Sequence, residues 1–440
     1  MTDVRPRVLF ISPDAVGKQM AGLGIRYTEL AATLTDIADV VIATGAPERD
    51  ASVLASGARV VGYEPHAADA LREWIAWAHT IVTPPQWPVV TRWLRRSGKR
   101  VVFDLYDPET LETLELFSRG RPGIRRLMVA LTLDRLHDAL RTGHHFMCAS
   151  EAQRDLWTGV LLGGRALGPK TYDADRSLRS VIDLVPFGLP STPPTVSGGG
   201  GPRAAFPQIA PDDEIVLWNG GIWPWLDAPT AVRAMARVAQ ARPGVRLVFM
   251  GRGSGFAGQA AVEEAQAVAR AAGVLDSTVL FSDRWVPYAE RSDWLLAADC
   301  GIATAGDHLE TRYAFRTRML DCFWAGLPVV CTAGDDLAAR VGRDGLGAVS
   351  PVGDDESLAM AIVGVLERGR VGHGPALAEA ARDYAWPVVS TPLRRWVLGP
   401  KPRLSPARTA VRLPGHLGRE VAYRAVRASL ARLRIDWPSL

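Results

Sequence analysis

The feature that most constrains the fold is a regular alternation of short apolar runs with amphipathic helical segments. The runs are rich in Val, Ile and Phe, and segments such as Arg26–Leu34 and Ala67–Trp77 with helical spacing lie between them. The strands predicted in the first half are 8–12, 40–44, 59–62, 80–83, 100–105, 145–149 and 180–185. Strands that alternate with helices predict right-handed βαβ units and a parallel sheet.

A proline- and glycine-rich stretch interrupts this alternation near residue 200. Pro186–Pro211 contains seven prolines and the run Gly198–Gly201, a composition that predicts a flexible linker. Beyond it the alternation resumes, with strands at 214–218, 246–250, 278–281, 300–304 and 329–332 and helices at 228–241, 257–272, 289–298 and 317–325. We therefore expect an α/β protein with βαβ domains at 1–190 and 213–385, joined by a linker at 191–212.

The cysteines and the apolar runs favour a cytoplasmic protein. The four cysteines are widely spaced and form no CxxC pair, so we expect buried thiols in a reducing compartment and neither a disulfide framework nor a zinc site. The start of the chain enters a strand at once, without the apolar region of a signal peptide. No apolar run reaches the roughly 18 residues that span a bilayer.

The charge is concentrated at the end of the chain. Gly399–Leu440 has nine Lys or Arg residues against two acids, a net charge of +7, whereas the whole chain is +4 and its other residues are therefore −3. A nearly neutral body disfavours a general nucleic-acid-binding surface. Apolar residues recur at helical spacing among the arginines of 417–435, which predicts a basic amphipathic helix that binds an anionic membrane or packs on the body or a partner.

Several loops that follow predicted strands carry glycines or acids suited to ligand binding. Gly22 and Gly24 precede the first helix, where exposed N–H groups favour an anion, although they would equally suit a tight turn. Neither a GxGxxG fingerprint nor a GxxxxGK[ST] loop is present, which disfavours a dehydrogenase or a P-loop ATPase. Asp104 and Asp107 follow another strand, where a carboxylate can bind hydroxyl groups or act as a base, or where Asp107 could cap a helix.

The second half repeats this pattern. Gly220 and Gly221 follow a strand and leave room for a phosphate, and Trp223 could stack on a ring or cover the linker. Trp285 and Val286 lie in an aromatic loop that could hold a nucleobase or form a simple surface turn.

The densest cluster of charges lies between Ala305 and Thr332. It contains one histidine, three acids and three arginines, among them His308, Glu310, Arg312, Arg316, Arg318 and Asp321. Arginines suit phosphate and carboxylates suit sugar hydroxyls, which favours a ligand like a nucleotide sugar. The alternative is an exposed basic helix end.

The order of four motifs resembles the retaining nucleotide-sugar glycosyltransferases of the GT-B fold, the group 1 or family 4-like enzymes. These motifs are Gly22–Leu30, Trp218–Trp223, His308–Arg312, and Asp321 five residues before Gly326-Leu327-Pro328. The resemblance covers nearly all of residues 1–398. It implies two Rossmann-like domains facing each other across a cleft, an N-terminal acceptor domain and a C-terminal donor domain. It also implies a helix at 386–398 that crosses back to the first domain, followed by the basic tail at 399–440.

The resemblance also implies roles for individual residues. Asp321 would bind the ribose hydroxyls and Glu310 the donor sugar, although the two acids are eleven positions apart, farther than is common in the family. The usual Arg and Lys of the glycine loop are absent, so Arg316 and Arg318 would neutralise the diphosphate leaving group. The donor site would further include Gly22, Gly24, Gly220, Gly221, Trp223, Trp285, Val286 and His308, and the acceptor site Arg26, Asp104 and Asp107.

The mechanism that the resemblance implies is front-face attack by an acceptor hydroxyl on the anomeric carbon, with retention of configuration. Asp107 and Glu310 would be the catalytic acids. No metal and no cofactor are implied besides the nucleotide-diphosphate sugar as co-substrate. The acceptor would be a glycan or a lipid-linked molecule at the inner face of the plasma membrane. The alternatives are an inactive glycan- or nucleotide-binding scaffold and a same-fold epimerase or phosphorylase.

Overall fold

The computed structural model describes residues 5–17, 20, 22–45, 52–63, 69–118, 120–251, 255–284, 286–402, 404, 418, 421 and 424–425. The chain divides into two compact units. The first consists of Met1–Thr113, Gly120–Gly188 and Trp386–Tyr423. The second consists of Leu189–Ala385 with Leu114–Arg119 and Arg424–Leu440.

Each unit is built on one sheet. In the described residues, the sheet of the first unit has eight strands in the order β3-β4-β2-β1-β5-β6-β7-β8, parallel except for β3. Its strands are β1 Arg7–Ser12, β2 Asp39–Thr44, β3 Ser52–Val53, β4 Arg59–Gly62, β5 Thr80–Thr83, β6 Arg100–Asp104, β7 His145–Cys148 and β8 Ile182–Leu184. This arrangement confirms the predicted parallel sheet.

The sheet of the second unit is entirely parallel. Over the described ranges it has six strands in the order β11-β10-β9-β12-β13-β14. They are β9 Glu214–Trp218, β10 Val245–Phe249, β11 Val279–Phe281, β12 Cys300–Ala303, β13 Val329–Thr332 and β14 Gly347–Ser350. The predicted pair of parallel-sheet, Rossmann-like α/β domains is therefore confirmed.

Helices connect the strands in both units. The first unit includes α1 Gly22–Ala32, α2 Asp69–Trp77, α3 Pro88–Ser97, α4 Glu109–Leu116, α5 Pro122–Thr142, α6 Glu151–Gly163, α7 Pro169–Ala174, and the later α16 Trp386–Val389 and α17 Thr391–Leu398. The second includes α8 Pro202–Ala205, α9 Ala228–Ala241, α10 Gly255–Ala271, α11 Arg291–Leu296, α12 Leu309–Tyr313, α13 Arg318–Trp324, α14 Asp336–Asp344 and α15 Asp355–Asp383. α4 extends across the boundary between the units, and α15 is interrupted at Gly369.

The cores explain why the strands read as continuous apolar runs. Helices cover both faces of a parallel sheet, so most residues of a central strand are buried whichever face they point to. Five of the six residues of β1 and four of the five of β9 are buried. The predicted strands lack only β3 and β14, because a two-residue strand and the small residues of Gly347–Ser350 give no apolar run.

The segment predicted as a flexible linker is held on the second unit. Both carboxylate oxygens of Asp293 accept hydrogen bonds from Ser197, one from its backbone N–H and one from its hydroxyl. The indole Nε1 of Trp324 donates to the carbonyl of Thr192 at 2.7 Å, and Arg203 donates to three carbonyls of 210–213. Polar side chains, which the composition argument ignored, therefore fix this proline-rich stretch.

The residues that follow the second unit return to the first. Arg394 of α17 forms a bidentate ion pair with Asp36 at 2.7 Å, and Arg395 bonds Asp183 at 2.8 Å. Arg100 donates to the carbonyls of Trp396, Val397 and Gly399. The predicted amphipathic helix at 417–435 lies almost entirely outside the described residues.

Two further expectations concern thiols and membrane spans. Cys148, Cys300, Cys322 and Cys331 are all buried free thiols, as expected from their apolar surroundings. In the described ranges, no helix is long and apolar enough to cross a membrane.

Candidate functional site

The loop after β9 is arranged to receive an anion. Gly220 has φ +124°, a conformation that favours glycine. Within the described residues, the backbone N–H groups of Gly220 and Gly221 donate to no other group. The loop is tied to α13 because the Asn219 side-chain amide donates to the Arg318 carbonyl at 2.8 Å. Two unused N–H groups at the carboxyl edge of a parallel sheet suit a phosphate.

Arg318 adds a positive charge beside this loop. Its Nη2 donates to the carbonyl of Gly221 at 3.0 Å, and its guanidinium carbon lies 4.9 Å from the centre of the Trp218 ring. Among the described residues it has no carboxylate partner, and its buried Nη1 donates to nothing. Burial, followed by the charge of Arg316, lowers the pKa of Arg318 to about 10, so it remains a cation at neutral pH. A half-buried cation without a counter-ion is poised for an anionic ligand.

Arg316 lies differently from its expected role in the diphosphate site. It is buried, and its Nε donates to the Asp335 carboxylate while Nη1 and Nη2 donate to the carbonyls of Ala303 and Thr332. Burial works against its charge, but Asp335 outweighs this and the pKa of Arg316 lies above its ordinary value. Arg316 therefore holds the ends of β12 and β13 together, and of the two expected clamp residues only Arg318 has a free donor in the described part of the chain.

Asp321, the expected ribose ligand, lies on α13 one turn after Arg318. Its Oδ1 is 3.1 Å from Nε of Arg291, and its side chain is 26% exposed. The guanidinium of Arg291 lies between the rings of Tyr288 and Trp324, at 3.5 and 4.6 Å from their centres. Arg291 thus fixes one oxygen of Asp321, and the partly exposed carboxylate keeps capacity to accept hydroxyl hydrogen bonds.

His308, expected in the donor site, instead caps α12. Its Nδ1 accepts from the backbone N–H of Thr311 at 3.3 Å, and its Nε2 lies 3.0 Å from the carbonyl of Trp225. The imidazole therefore carries its proton on Nε2 and joins the loop after β12 to the loop after β9. Glu310 is only 3% exposed, and its Oε2 lies 3.6 Å from Nδ1 of His308. The direct contact with a sugar that we expected of Glu310 does not match this burial.

The aromatic residues expected to bind a ring are described in part. Trp223 and Trp225 are half-buried and stack on each other, with ring centres 5.4 Å apart and planes 5° apart. Val286 is half-buried after β11, whereas Trp285 lies outside the described residues. The tryptophan pair extends the glycine loop with a flat apolar surface.

In the first unit, Arg26 and Asp104 form a buried strut instead of the expected acceptor site. Arg26 is fully buried, and its Nε and Nη2 bond both oxygens of Asp104 at 2.8 and 3.1 Å. Its remaining donors reach the carbonyls of Val185 and Pro186 at 2.6 and 2.8 Å. The pair joins α1 to the ends of β6 and β8, and its burial leaves little surface on which an acceptor could contact it.

Gly22 and Gly24, expected to precede the first helix as an anion site, lie instead in the first turn of α1. The backbone N–H groups of Leu23 and Gly24 donate to the carboxylate of Asp14, which burial gives a raised pKa. A Cβ on Gly24 would lie 2.3 Å from the Ala15 carbonyl oxygen, so this glycine permits close packing, while Gly22 is exposed and uncrowded. A carboxylate already occupies the helix N-terminus, where it would repel a phosphate.

Asp107 lies at the carboxyl edge of the first sheet, and its pKa is strongly raised. Burial first, and then the negative charge of Asp104, raise the pKa of Asp107 to about 7. Asp107 is half-buried, and the nearby Tyr27 hydroxyl is buried with no hydrogen-bond partner in the described residues. A carboxyl group with this pKa can hold or release a proton near neutral pH.

Sequence reasoning missed three residues of these two edges. Asp14 lies eight positions before Gly22. The sequence Ser12-Pro13-Asp14 is a turn and capping signal. Asn219 directly precedes the two glycines. Arg291 is thirty positions before Asp321, and no local pattern indicates that pairing.

A comparison with protein families finds a match within the second unit. Residues 213–368 match the family "Glycosyl transferases group 1". This match covers about a third of the chain, and the chain is similar to glycosyltransferases of that group over these residues. The matched residues include the glycine loop, Arg318 and Asp321, together with Arg291 and His308. No curated protein sequence matches the chain.

Solved structures share the fold over nearly the whole chain. HepE of Anabaena, solved with UDP and glucose, is 16% identical with a TM-score of 0.63, over 88% of this chain and 98% of HepE. WaaG, a glycosyltransferase involved in lipopolysaccharide biosynthesis, is 16% identical with a TM-score of 0.62, over 89% and 100%. Sucrose-phosphate synthase from Thermosynechococcus elongatus is 17% identical with a TM-score of 0.56, over 97% and 100%. The fold of the chain is therefore GT-B.

Proposed function

We propose that this protein transfers a sugar from a nucleotide-diphosphate sugar to a hydroxyl group of a glycan or lipid-linked acceptor, with retention of anomeric configuration. The match to group 1 glycosyltransferases supports the reaction class. HepE, whose fold is similar, has been solved with UDP-glucose, which supports a donor of that chemical kind. WaaG supports a cell-envelope acceptor.

The observation that carries this proposal is the state of Arg318. Its guanidinium has no acidic partner in the described residues and lies beside the unused N–H groups of Gly220 and Gly221. The leaving group of the reaction is a nucleoside diphosphate, whose negative charge grows as the glycosidic bond breaks. A fixed cation and two N–H donors in this position stabilise that growing charge more than the bound donor.

Asp321 and Asp107 take the other two roles. Asp321, with one oxygen fixed by Arg291, accepts hydrogen bonds from the ribose hydroxyls of the donor. Asp107 accepts a hydrogen bond from the acceptor hydroxyl and receives its proton as the new bond forms. Because the pKa of Asp107 is raised to about 7, the carboxylate is a stronger base than an ordinary aspartate, and about half of it is ionised at pH 7.

The test is calorimetric titration of the full chain with UDP, GDP, dTDP and ADP. We expect at least one diphosphate to bind, and R318Q to weaken it by roughly 100-fold, about 2.7 kcal/mol, because a charge-assisted contact to phosphate is lost. R312Q is the matched control, since Arg312 lies six positions before Arg318, on α12, and is exposed, so the affinity of this variant should equal that of the wild type. Equal weakening by both variants, or no binding of any diphosphate, would contradict the proposal.

A further inference from the structure

A cavity lies at the opposite edge of the first sheet from Asp107. It has a volume of about 470 Å³ and is formed where β2 and β4 begin, between the turn after α1 and the end of α2. This volume is within the range of cavities that bind small molecules. β2 has six residues and spans roughly 20 Å, so a ligand here is separate from the carboxyl edge.

Two tryptophans form one wall of the cavity. Trp74 and Trp77 lie one turn apart on α2, with ring centres 5.7 Å apart and planes 79° apart. Both rings pack partly on the apolar core and are half-buried. The guanidinium of Arg59 lies over Trp74 and that of Arg7 over Trp77, so each ring presents to the cavity only the part that its arginine leaves uncovered. Such rigid rings bind flat apolar faces at a low entropy cost.

The polar groups of the cavity are nearly balanced in charge. Asp39 pairs with Arg5 at 3.1 Å, and Asp36 pairs with Arg394 at 2.7 Å. Arg59 lies 5.2 Å from the centre of the Trp74 ring and has no acidic partner in the described residues. The buried hydroxyl of Ser56 likewise has no hydrogen-bond partner there.

This combination selects among ligand classes. A nucleotide or another multiply charged anion would find only one uncompensated cation beside two carboxylates. A purely apolar ligand would leave the Ser56 hydroxyl and the guanidinium of Arg59 unsatisfied. A sugar ring has an apolar C–H face for the tryptophans and hydroxyls that both donate and accept, which match carboxylate, guanidinium and hydroxyl groups.

We propose that this cavity binds a saccharide unit, neutral or carrying a single acidic group, as part of a glycan chain. The C–H face of the sugar packs on the uncovered parts of the Trp74 and Trp77 rings, beside the guanidinium groups that lie over them, and its hydroxyls bond Arg59, Asp39 and Ser56. The site binds this saccharide apart from the carboxyl edge that contains Asp107. It does not depend on the proposed transfer activity and can be tested without a sugar donor.

The test uses a printed array of neutral and uronate-containing oligosaccharides, followed by titration of the best-bound array member in solution. R59Q and W74F should each weaken binding by about tenfold, because each removes a polar or stacking contact. R72Q is the matched control, because Arg72 is exposed on the same helix and outside the cavity. D107N should leave this binding unchanged.

Two outcomes would overturn the proposal. One is that no array member binds the wild-type chain. The other is that binding is lost in D107N but kept in R59Q and W74F, which would place the saccharide at the carboxyl edge. Thermal unfolding of each variant checks that it is folded, and nucleotide titration, which depends on Arg318, separates a failure here from a failure of the proposed transferase.

Discussion

The carboxyl edges of the two sheets each contain a buried arginine–aspartate pair, and they differ in the charge of the residue next to that pair. In each, a buried arginine pairs with an aspartate and donates to the carbonyls that end two strands or loops: Arg26 with Asp104 in the first unit, Arg316 with Asp335 in the second. Beside the first strut stands Asp107, whose pKa is raised to about 7. Beside the second stands Arg318, a cation without an acidic partner in the described residues.

The difference shows that burial of a charged residue and availability of a charge are separate properties. The struts satisfy their own charges and fix the loops, so neither can serve a ligand without breaking the loop that it holds. The charge left over then decides the ligand chemistry. An edge with a basic carboxylate suits a hydroxyl that must lose a proton, and an edge with a free guanidinium suits a diphosphate.

The largest expected effects come from breaking the struts. R26M and R316M should each lower the free energy of unfolding of their own unit by about 3–5 kcal/mol, because each leaves a buried carboxylate without its counter-ion. Since the units need not unfold together, hydrogen exchange measured by mass spectrometry should follow each unit separately. The loss should be confined to the first unit in R26M and to the second in R316M.

Arg312 provides the control for these measurements. It is exposed, and R312M should change the stability of the second unit by less than about 0.5 kcal/mol. If R316M were no more destabilising than R312M, Arg316 would not be a strut, and its role as a second diphosphate ligand would return.

The pair Arg316 and Arg318 also shows what the sequence could and could not predict. The two residues are separated by one position and stand at the same helix start, so no local pattern distinguishes them. Their different roles depend on Asp335, which is nineteen residues after Arg316 in the sequence. Asp335 contacts Arg316 because β13, which precedes it, pairs with β12 in the sheet. The same holds for Arg26 and Asp104, which are 78 positions apart.

The strands were more predictable than the site because their signal is local. Val329–Thr332 and Arg59–Gly62 occur as predicted, since a buried parallel strand needs only a short apolar run between turns. The tethering of residues 192–201 was not predictable in this way. It depends on Asp293 and Trp324, which lie about a hundred positions or more further along the chain.

The next largest effect is expected at Asp107. D107N should reduce kcat by about 10- to 100-fold, because the acceptor hydroxyl loses its proton acceptor, while the affinity for the nucleotide remains unchanged. Since the active form is the carboxylate, wild-type activity should rise as the pH increases through about 7. Initial rates between pH 5.5 and 8.5, within about one and a half units of that value, test this. An unchanged profile in D107N would assign the titration to another group.

The stability of the first unit should depend on the same proton. The pKa of Asp107 in the folded protein is raised above its ordinary value. The contribution of Asp107 to the free energy of unfolding is therefore fully present below pH 3.8 and is lost as the pH rises through about 7. D107N lacks this loss, so the variant should gain stability relative to the wild type as the pH increases from 5 to 8. Urea unfolding at several pH values measures the difference in the free energy of unfolding between D107N and the wild type. If D107N instead lost stability relative to the wild type as the pH increased, a raised pKa would be excluded.

The smallest expected effect separates a cap from a ligand in the second unit. His308 bonds Thr311 and Trp225 through its two ring nitrogens, so H308A should cost about 1 kcal/mol, and H308N less, because the asparagine oxygen can still cap α12. Neither variant should change nucleotide affinity by more than about twofold, which is less than 0.5 kcal/mol. A large loss of nucleotide affinity in H308N at unchanged stability would show instead that the imidazole itself contacts the donor. The donor site at the carboxyl edge of the second sheet would then include His308 in addition to Arg318 and the glycine loop.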